Sequence, residues 1–238
     1  MCYSLTLLEP DTLQVRYAAR FPDHWEFTPT YYVNAFSIPQ YPILPDMDRS
    51  HFHPMYWGLI PSWVKTKEDA ENLRKQTMNA RSESIFKKPS FRSAIKNRRC
   101  LIPANGFFEW RSFHGHNYPY YIHLNDHIIF SIAGIWEAWK DPKTEQEILT
   151  FSVITCDANP LMEKIHNKKR RMPVILPKES EFDWLEEDLS DERIIAMLTP
   201  YPMEKMQAYT ISKRITSSTL QRNVPEVLKP YEYPELPK

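Results

Sequence analysis

Residues 99–110 read RCLIPANGFFEW, and this stretch decides the fold prediction. Two parts of it, Cys100–Ile102 and Gly106–Arg111, are rich in aromatic or β-branched residues, which favour β-strands. The same composition recurs in three later segments, Tyr118–Leu124, Ile128–Ala133 and Ile148–Thr155. The middle of the chain is therefore predicted to be mostly strand.

Shorter elements flank this middle. A helix is predicted over Asp11–Arg20, with Asp11 as its N-cap. Further strands are predicted at Tyr3–Leu8, Tyr31–Ala35 and Pro54–Leu59. Helical turns are predicted at Lys67–Arg74, Ser82–Phe86 and Phe91–Lys96, and helices at Ala158–Ile165 and Asp191–Leu198 around the apolar segment Pro173–Leu176. Antiparallel sheet with peripheral helices, an α+β fold, is the predicted class.

Charge is balanced over the whole chain but not locally. The 238 residues include 30 Lys and Arg and 30 Asp and Glu, so no global field attracts nucleic acid or a membrane. Basic residues dominate between Lys65 and Arg99 and in the run Lys168 to Arg171, whereas Glu179 to Glu192 is acidic. A local cationic face is compatible with this pattern.

Glycine and cysteine usage excludes several chemistries. The 4 glycines are isolated, so there is no Gly-rich phosphate loop, and no nucleotide or other cofactor is expected. The 3 cysteines fit neither a zinc motif nor a disulfide framework, which favours a reducing compartment. His51 with His53, and His114 with His116, have no nearby third ligand, so no metal site is predicted. The chain has no apparent signal peptide or membrane span and is expected to be soluble and cytoplasmic.

Cys2 directly follows the initiator methionine. Removal of Met1 would leave an amine of pKa about 7.7–8.0 beside a thiol of pKa about 8.5. Such a pair can capture an aldehyde first as an imine and then as a thiazolidine ring. The alternative is that Cys2 is simply the buried start of the first strand.

Four further segments bear on this choice. They are Trp57-Gly58-Leu59-Ile60-Pro61-Ser62-Trp63, Asn79-Ala80-Arg81-Ser82-Glu83, the stretch at 99–110, and Ile165-His166 followed by Arg171-Met172-Pro173-Val174-Ile175-Leu176. With Met1-Cys2, and in this order, they resemble the SRAP family of abasic-site processing proteins, which crosslink to damaged single-stranded DNA. The resemblance runs from Cys2 to about Pro230. It implies a single domain over residues 1–230 with a curved, barrel-like sheet, followed by a tail at 231–238.

The resemblance also implies a function. Cys2, exposed by removal of Met1, would join the ring-opened aldehyde of an abasic deoxyribose through a thiazolidine. The family is credited with autoproteolytic release of the cysteine and with lyase chemistry. The implied partner is single-stranded DNA containing abasic sites, bound by a monomer that is nucleoid-associated when on DNA.

Four residues are the candidate catalytic set, Cys2, Asn79, Glu109 and His166. Glu109 lies between aromatic residues, where partial desolvation raises the pKa of a carboxylate and suits it to proton transfer. His166 is expected to titrate near neutrality and to protonate the deoxyribose ring oxygen. Asn79 offers a donor and an acceptor to orient the amine or sugar. Each has a plainer alternative, as a surface, capping or ion-pair residue.

DNA contacts require cations for phosphates and flat rings for unstacked bases. The predicted contacts are Arg81, Trp57, Trp63, Lys88, Arg92, Arg99 and Arg171. The two tryptophans fit equally well as core residues, and the cations as a solvated face.

The chain departs from the family pattern in three places. The usual Gly-Arg after the cysteine is Tyr3-Ser4, and the usual Asn-Ala-Pro is Asn34-Ala35-Phe36. Asn167-Lys168-Lys169-Arg170 lengthens the link from His166 to Arg171, so the placement of His166 needs a structure. Two rival functions remain open at this point, an N-terminal-nucleophile amidohydrolase and a non-enzymatic single-stranded nucleic-acid binding module.

Overall fold

The computed structural model describes residues 2–125 and 129–237, which form two β-sheets with short helices around them. The first sheet has five antiparallel strands and is barrel-like. In spatial order they are β13 (Met206–Thr210), β8 (His116–Leu124), β7 (Gly106–Phe113), β1 (Ser4–Leu7) and β2 (Thr30–Asn34). The predicted α+β fold, mainly antiparallel with peripheral helices, is confirmed.

The second sheet has eight strands. Along its path lie β11 (Arg171–Pro173), β10 (Glu147–Asp157), β4 (His53–Trp57), β3 (Gln40–Pro45), β6 (Arg99–Ala104), β9 (Phe130–Lys140) and β12 (Ile175–Leu176), with β5 (Asn79–Arg81) beside β10. Because β9 also pairs with β10, the strands β10, β4, β3, β6 and β9 close into a ring. Only β4 and β5 run parallel to β10 among these described pairings.

Five α-helices are described, and all are short. They are α1 (Pro10–Tyr17), α2 (Lys67–Arg74), α3 (Ala94–Asn97), α4 (Pro160–Ile165) and α5 (Asp191–Met197). The predicted bounds of α2 are confirmed, since the Thr66 hydroxyl accepts a bond from the Asp69 amide and caps its first turn. In the described residues no helix has the length and apolar character needed to cross a membrane.

The predicted bounds of α1 are wrong. It begins at Pro10 with Glu9 in the N-cap position, because proline at the first helical position has a backbone angle already suited to the helix. It ends when Ala18 adopts a left-handed conformation with φ of 51°. The predicted strand Ile128–Ala133 is observed from Phe130 onward, and Ile128 lies outside the described residues.

Two strand junctions position the site. In the pairing of β1 with β7, Leu5 lies opposite Phe107, and continuing this register toward the start of the chain brings residue 3 opposite Glu109. On the other side, β10, α4 and β11 follow one another, so His166 lies in the connection between two neighbouring strands. Both the start of the chain and this connection approach β7, the central strand of the first sheet, because β1 pairs with β7 and Asn167 bonds Ser112 on it.

Candidate active site

Cys2 is fully buried at the start of β1. Its Sγ lies 3.9 Å from the carbonyl oxygen of Ser4. Burial raises the pKa of the Cys2 thiol strongly, and the negative charge of Glu109 raises it further. The thiol is therefore protonated at neutral pH in this form, and Glu109 lies close enough to influence it. Met1 lies outside the described residues.

Glu109 and His166 form a buried pair next to Cys2. The Glu109 Oε1 lies 3.6 Å from the His166 Nδ1, and the two residues are 3% and 7% exposed. Burial raises the pKa of Glu109 to about 7, because desolvation penalises its charged form. For the same reason burial lowers the pKa of His166 to about 4. The expectation that His166 titrates near neutrality is wrong, whereas the expected rise at Glu109 is present.

The four extra residues after His166 form a closed turn that fixes the imidazole. The His166 Nδ1 donates to the Arg171 carbonyl at 2.9 Å, and the Arg170 amide donates to the His166 carbonyl at 2.8 Å. Asn167 bonds both backbone groups of Ser112 on β7, at 3.0 and 2.7 Å. The insertion thus ties His166 to the strand that carries Glu109, and it leaves Lys168, Lys169 and Arg170 exposed.

Asn79 and Arg81 lie on β5 and share a cleft of about 410 Å³ with Lys88. Asn79 is 7% exposed, and neither its Nδ2 nor its Oδ1 has a hydrogen-bond partner among the described residues. An amide buried in this way is costly unless a ligand or water completes its bonds. Burial raises the pKa of the Tyr3 hydroxyl, and the positive charge of Arg81 opposes this rise, so Arg81 lies within electrostatic reach of Tyr3.

Two of the predicted DNA contacts are wrong. Trp57 is fully buried, stacks on Phe151 at 5.5 Å between ring centroids, and donates its indole N–H to the Met78 carbonyl. Arg99 is also fully buried, and its guanidinium donates to backbone carbonyls of Trp184, Ile95, Lys96 and Glu186. Neither side chain has a surface left for a base or a phosphate, because both serve the core of the second sheet.

Arg171 also departs from the prediction. Its guanidinium is buried and bonded to the carboxylates of Glu83 and Asp157 and to the Thr155 carbonyl. These bonds hold β11 against β10 and β5, so Arg171 supports the site and is not an open phosphate ligand. Lys88 and Arg92 are exposed one turn apart, and Trp63 is 56% exposed. Their DNA contacts stay predictions.

Sequence reasoning missed the contribution of Tyr3 and Phe36. Their ring centroids lie 4.8 Å apart, and Tyr3 directly follows Cys2 in the chain. Both positions differ from the family pattern, which was the available signal, but the sequence does not show that they touch. No cluster of three or more His, Cys, Asp or Glu side chains suited to a metal occurs in residues 2–125 and 129–237.

Known proteins resemble most of this chain. The model of the SOS response associated peptidase (SRAP) family matches residues 1–218. The abasic site processing protein YoqW of Bacillus subtilis is 34% identical over 233 residues, which cover 96% of this chain and 99% of YoqW. The abasic site processing protein HMCES of Rattus norvegicus is 31% identical over 206 residues, or 74% of this chain and 56% of that protein.

A solved structure shows the same fold. The crystal structure of a protein from Bacteroides thetaiotaomicron has a TM-score of 0.92 and 39% sequence identity, with 97% of this chain and 100% of that chain covered. The family match spans both sheets and every candidate catalytic residue. This chain therefore belongs to the SOS response associated peptidase (SRAP) family.

Proposed function

We propose that this protein binds single-stranded DNA at abasic sites and links itself covalently to them through Cys2 after Met1 is removed. The observation that carries the proposal is the buried pair of Glu109 and His166, 3.6 Å apart, whose carboxylate acts electrostatically on the Cys2 thiol. The names of the relatives YoqW and HMCES, abasic site processing proteins, support the same substrate.

The chemistry balances with the groups present. The Cys2 amine adds to the deoxyribose aldehyde and forms a carbinolamine, which loses water to give an imine. The thiol then adds across the C=N bond, so that sulfur bonds to carbon and its proton passes to nitrogen. The products are one thiazolidine and one water molecule.

Glu109 is the group suited to move these protons. With a pKa of about 7 it is present in both protonation states at neutral pH, so it can protonate the departing hydroxyl and afterwards accept a proton. His166 is neutral at this pH, and its Nδ1–H donates to the Arg171 carbonyl. We propose that His166 orients Glu109 and the sugar oxygen.

Asn79 and the nearby cations complete the proposed site. The buried amide of Asn79 gains hydrogen bonds when a sugar hydroxyl or the Cys2 amine enters its cleft. Arg81 and Lys88 line this cleft, Arg92 follows Lys88 by one turn, and all three are exposed and provide charge for backbone phosphates. The protein is proposed to act in this way as a monomer, on nucleoid DNA in the cytoplasm.

Cys2→Ala tests the covalent step. An oligonucleotide with one abasic site should give a heat-stable adduct with the wild-type protein and none with the variant, as read by denaturing gel and intact mass. Non-covalent binding, followed by fluorescence anisotropy, should persist in the variant. Cys156→Ala, which removes another buried thiol, should retain the adduct.

The outcomes separate the rival functions. An unchanged adduct yield in Cys2→Ala would overturn the assignment of the thiol. Equal binding of intact and abasic strands without any adduct would favour the non-enzymatic binding module. Release of Met1 by the protein itself and lyase-type strand cleavage belong to the same proposal, and the intact masses of protein and strand report both.

A further inference from the structure

An exposed aromatic ring packs on the residue that follows Cys2. The ring of Phe36 is 63% exposed and packs on the ring of Tyr3 at 4.8 Å, with an angle of 42° between the two planes. The family pattern has glycine at the position of Tyr3 and proline at the position of Phe36. The contact joins the start of the chain to the turn that follows β2.

Hydrogen bonds hold the Phe36 ring in place. Asn34 caps this turn by accepting the Phe36 amide on its Oδ1 at 2.9 Å. Its Nδ2 donates to the Ser4 Oγ and to the Tyr32 hydroxyl, both at 3.0 Å. The Ala35 amide donates to the Tyr3 carbonyl at 2.8 Å. The exposed ring is therefore preorganised, which reduces the entropy lost when a ligand stacks on it.

The ring borders an open cleft of about 680 Å³. Arg222 also lines the cleft, with its Cζ 5.7 Å from the centre of the Tyr32 ring. Asn223 fixes this segment by accepting the backbone N–H groups of Tyr31 and Tyr32 on its Oδ1, at 2.7 and 3.2 Å. The described residues that line the cleft include an arginine and several amides but no carboxylate.

We propose that the cleft binds one unstacked nucleobase of the strand that carries the lesion, next to the abasic site. The base stacks on Phe36, its polar edge faces the side-chain amide of Gln221, and Arg222 meets a flanking phosphate. This subsite compensates for the arginine that Ser4 replaces, since it adds stacking and a cation near Cys2. The inference rests on the proposed function, because it names a subsite for the same strand.

The test uses abasic oligonucleotides in which the neighbouring nucleotide, on the 5′ or the 3′ side, is replaced by a baseless tetrahydrofuran spacer. For the wild-type protein, loss of the base on one side should raise the concentration for half-maximal adduct formation about 5-fold or more, since a stacked base contributes roughly 1–3 kcal/mol. Phe36→Ala should raise it by a similar factor on the complete strand. On the spacer strand the same variant should change nothing.

Phe36→Leu and Phe182→Ala are the control variants. Leucine keeps an apolar side chain in the turn but removes the flat face, so it should reproduce most of the loss. Phe182 is another partly exposed ring, outside the cleft, and its removal should leave both strands unaffected. All substituted side chains are partly exposed, so the variants are expected to remain folded.

Two results would overturn the inference. One is a wild-type protein that is indifferent to the base on both sides, and the other is a Phe36→Ala effect of equal size on complete and spacer strands. If the wild-type protein forms no adduct at all, the proposed function fails instead. The same four strand and variant combinations, measured by anisotropy, then still decide whether a base stacks on Phe36.

Discussion

Arg99 and Glu109 lie ten positions apart on the consecutive strands β6 and β7, and both are buried ionisable residues. The guanidinium of Arg99 donates to several backbone carbonyls, so its charge is surrounded by acceptors. Burial disfavours the charged form of both groups, but only at Glu109 does the shift bring the pKa to about 7. The first arrangement stabilises a fold, and the second keeps a proton available at neutral pH.

The difference lies in the partners and not in the depth of burial. A buried charge whose hydrogen bonds are satisfied is a structural element, and its removal leaves several acceptors without donors. A buried carboxylate with a strongly shifted pKa, beside a histidine and a thiol, is typical of a reactive site. Substitution of Arg99 or of Glu109 separates these two roles.

Arg99→Met should have the largest effect, on stability. It leaves the buried carbonyls of Trp184, Ile95 and Lys96 without their donor, so the free energy of unfolding should fall by about 3–5 kcal/mol. Urea unfolding measures this change, and the fraction that remains folded should still form the adduct. Arg92→Ala, an exposed control, should stay within about 0.5 kcal/mol. A loss of unfolding free energy smaller than that of Arg92→Ala would contradict the structural role of Arg99.

Glu109→Gln should act on the reaction and not on the fold. Without the titrating carboxylate the rate of adduct formation should fall about 100-fold, the lower range for loss of an acid–base group. Single-turnover kinetics on an abasic oligonucleotide measure this rate. Glu137→Gln is the matched control, since Glu137 is another buried carboxylate, paired with Arg98 at 2.9 Å. An equal loss of rate in both variants would remove the special role of Glu109.

The pH dependence of stability should also distinguish the variants. Because the pKa of Glu109 is raised, its contribution is full below about pH 4.5 and is lost as the pH rises through about 7. Glu109→Gln should therefore gain about 2 kcal/mol relative to wild type between pH 5 and 8. His166, with its lowered pKa, works in the opposite direction and loses its contribution as the pH falls toward 4.

Urea titrations of both proteins across this range provide the measurement. The difference between the two curves reports Glu109 together with its coupling to His166, which is present in both proteins. A constant difference from pH 5 to 8 would show that the carboxylate keeps an ordinary pKa. The assignment of Glu109 as the proton carrier at neutral pH would then fail.

The fold was predictable wherever local signals agree with the final structure. Lys67–Arg74 has a capping threonine and acidic residues in its first turn, and its bounds were predicted correctly. The strand Gln40–Pro45 was missed because prolines argue against a central strand. It tolerates them because residues 40–43 pair only with β4 and residues 44–45 only with β6, so that its ladder changes partner along its length.

The candidate site was predictable only in part. Cys2, Glu109 and His166 follow from motif order, and the structure brings them together. The burial of Arg99 was not predictable, since the carbonyls that surround its guanidinium come partly from Trp184 and Glu186, far along the chain. The same holds for the contact of Tyr3 with Phe36, which depends on the pairing of β1 with β2.

Arg171 is intermediate between the structural residue Arg99 and the reactive residue Glu109, and Glu83→Gln, which removes one of its partners, should have the smallest effect. The Arg171 guanidinium bonds Glu83 at 2.8 and 2.9 Å, but the Glu83 side chain is half exposed, and Asp157 and the Thr155 carbonyl remain as partners. The loss of this pair should therefore reduce stability by less than about 1 kcal/mol.

Removal of the Glu83 charge should at the same time tighten non-covalent binding of single-stranded DNA about two- to threefold at low salt, because one repulsion near the phosphates disappears. The gain should fade as salt screens the charges, and anisotropy at two salt concentrations measures it. Glu192→Gln, which neutralises an exposed acid on α5, controls for net charge alone. Weaker binding by Glu83→Gln would instead mean that Arg171 supports DNA binding only while Glu83 holds the guanidinium in place. Arg171 would then have a structural role like that of Arg99.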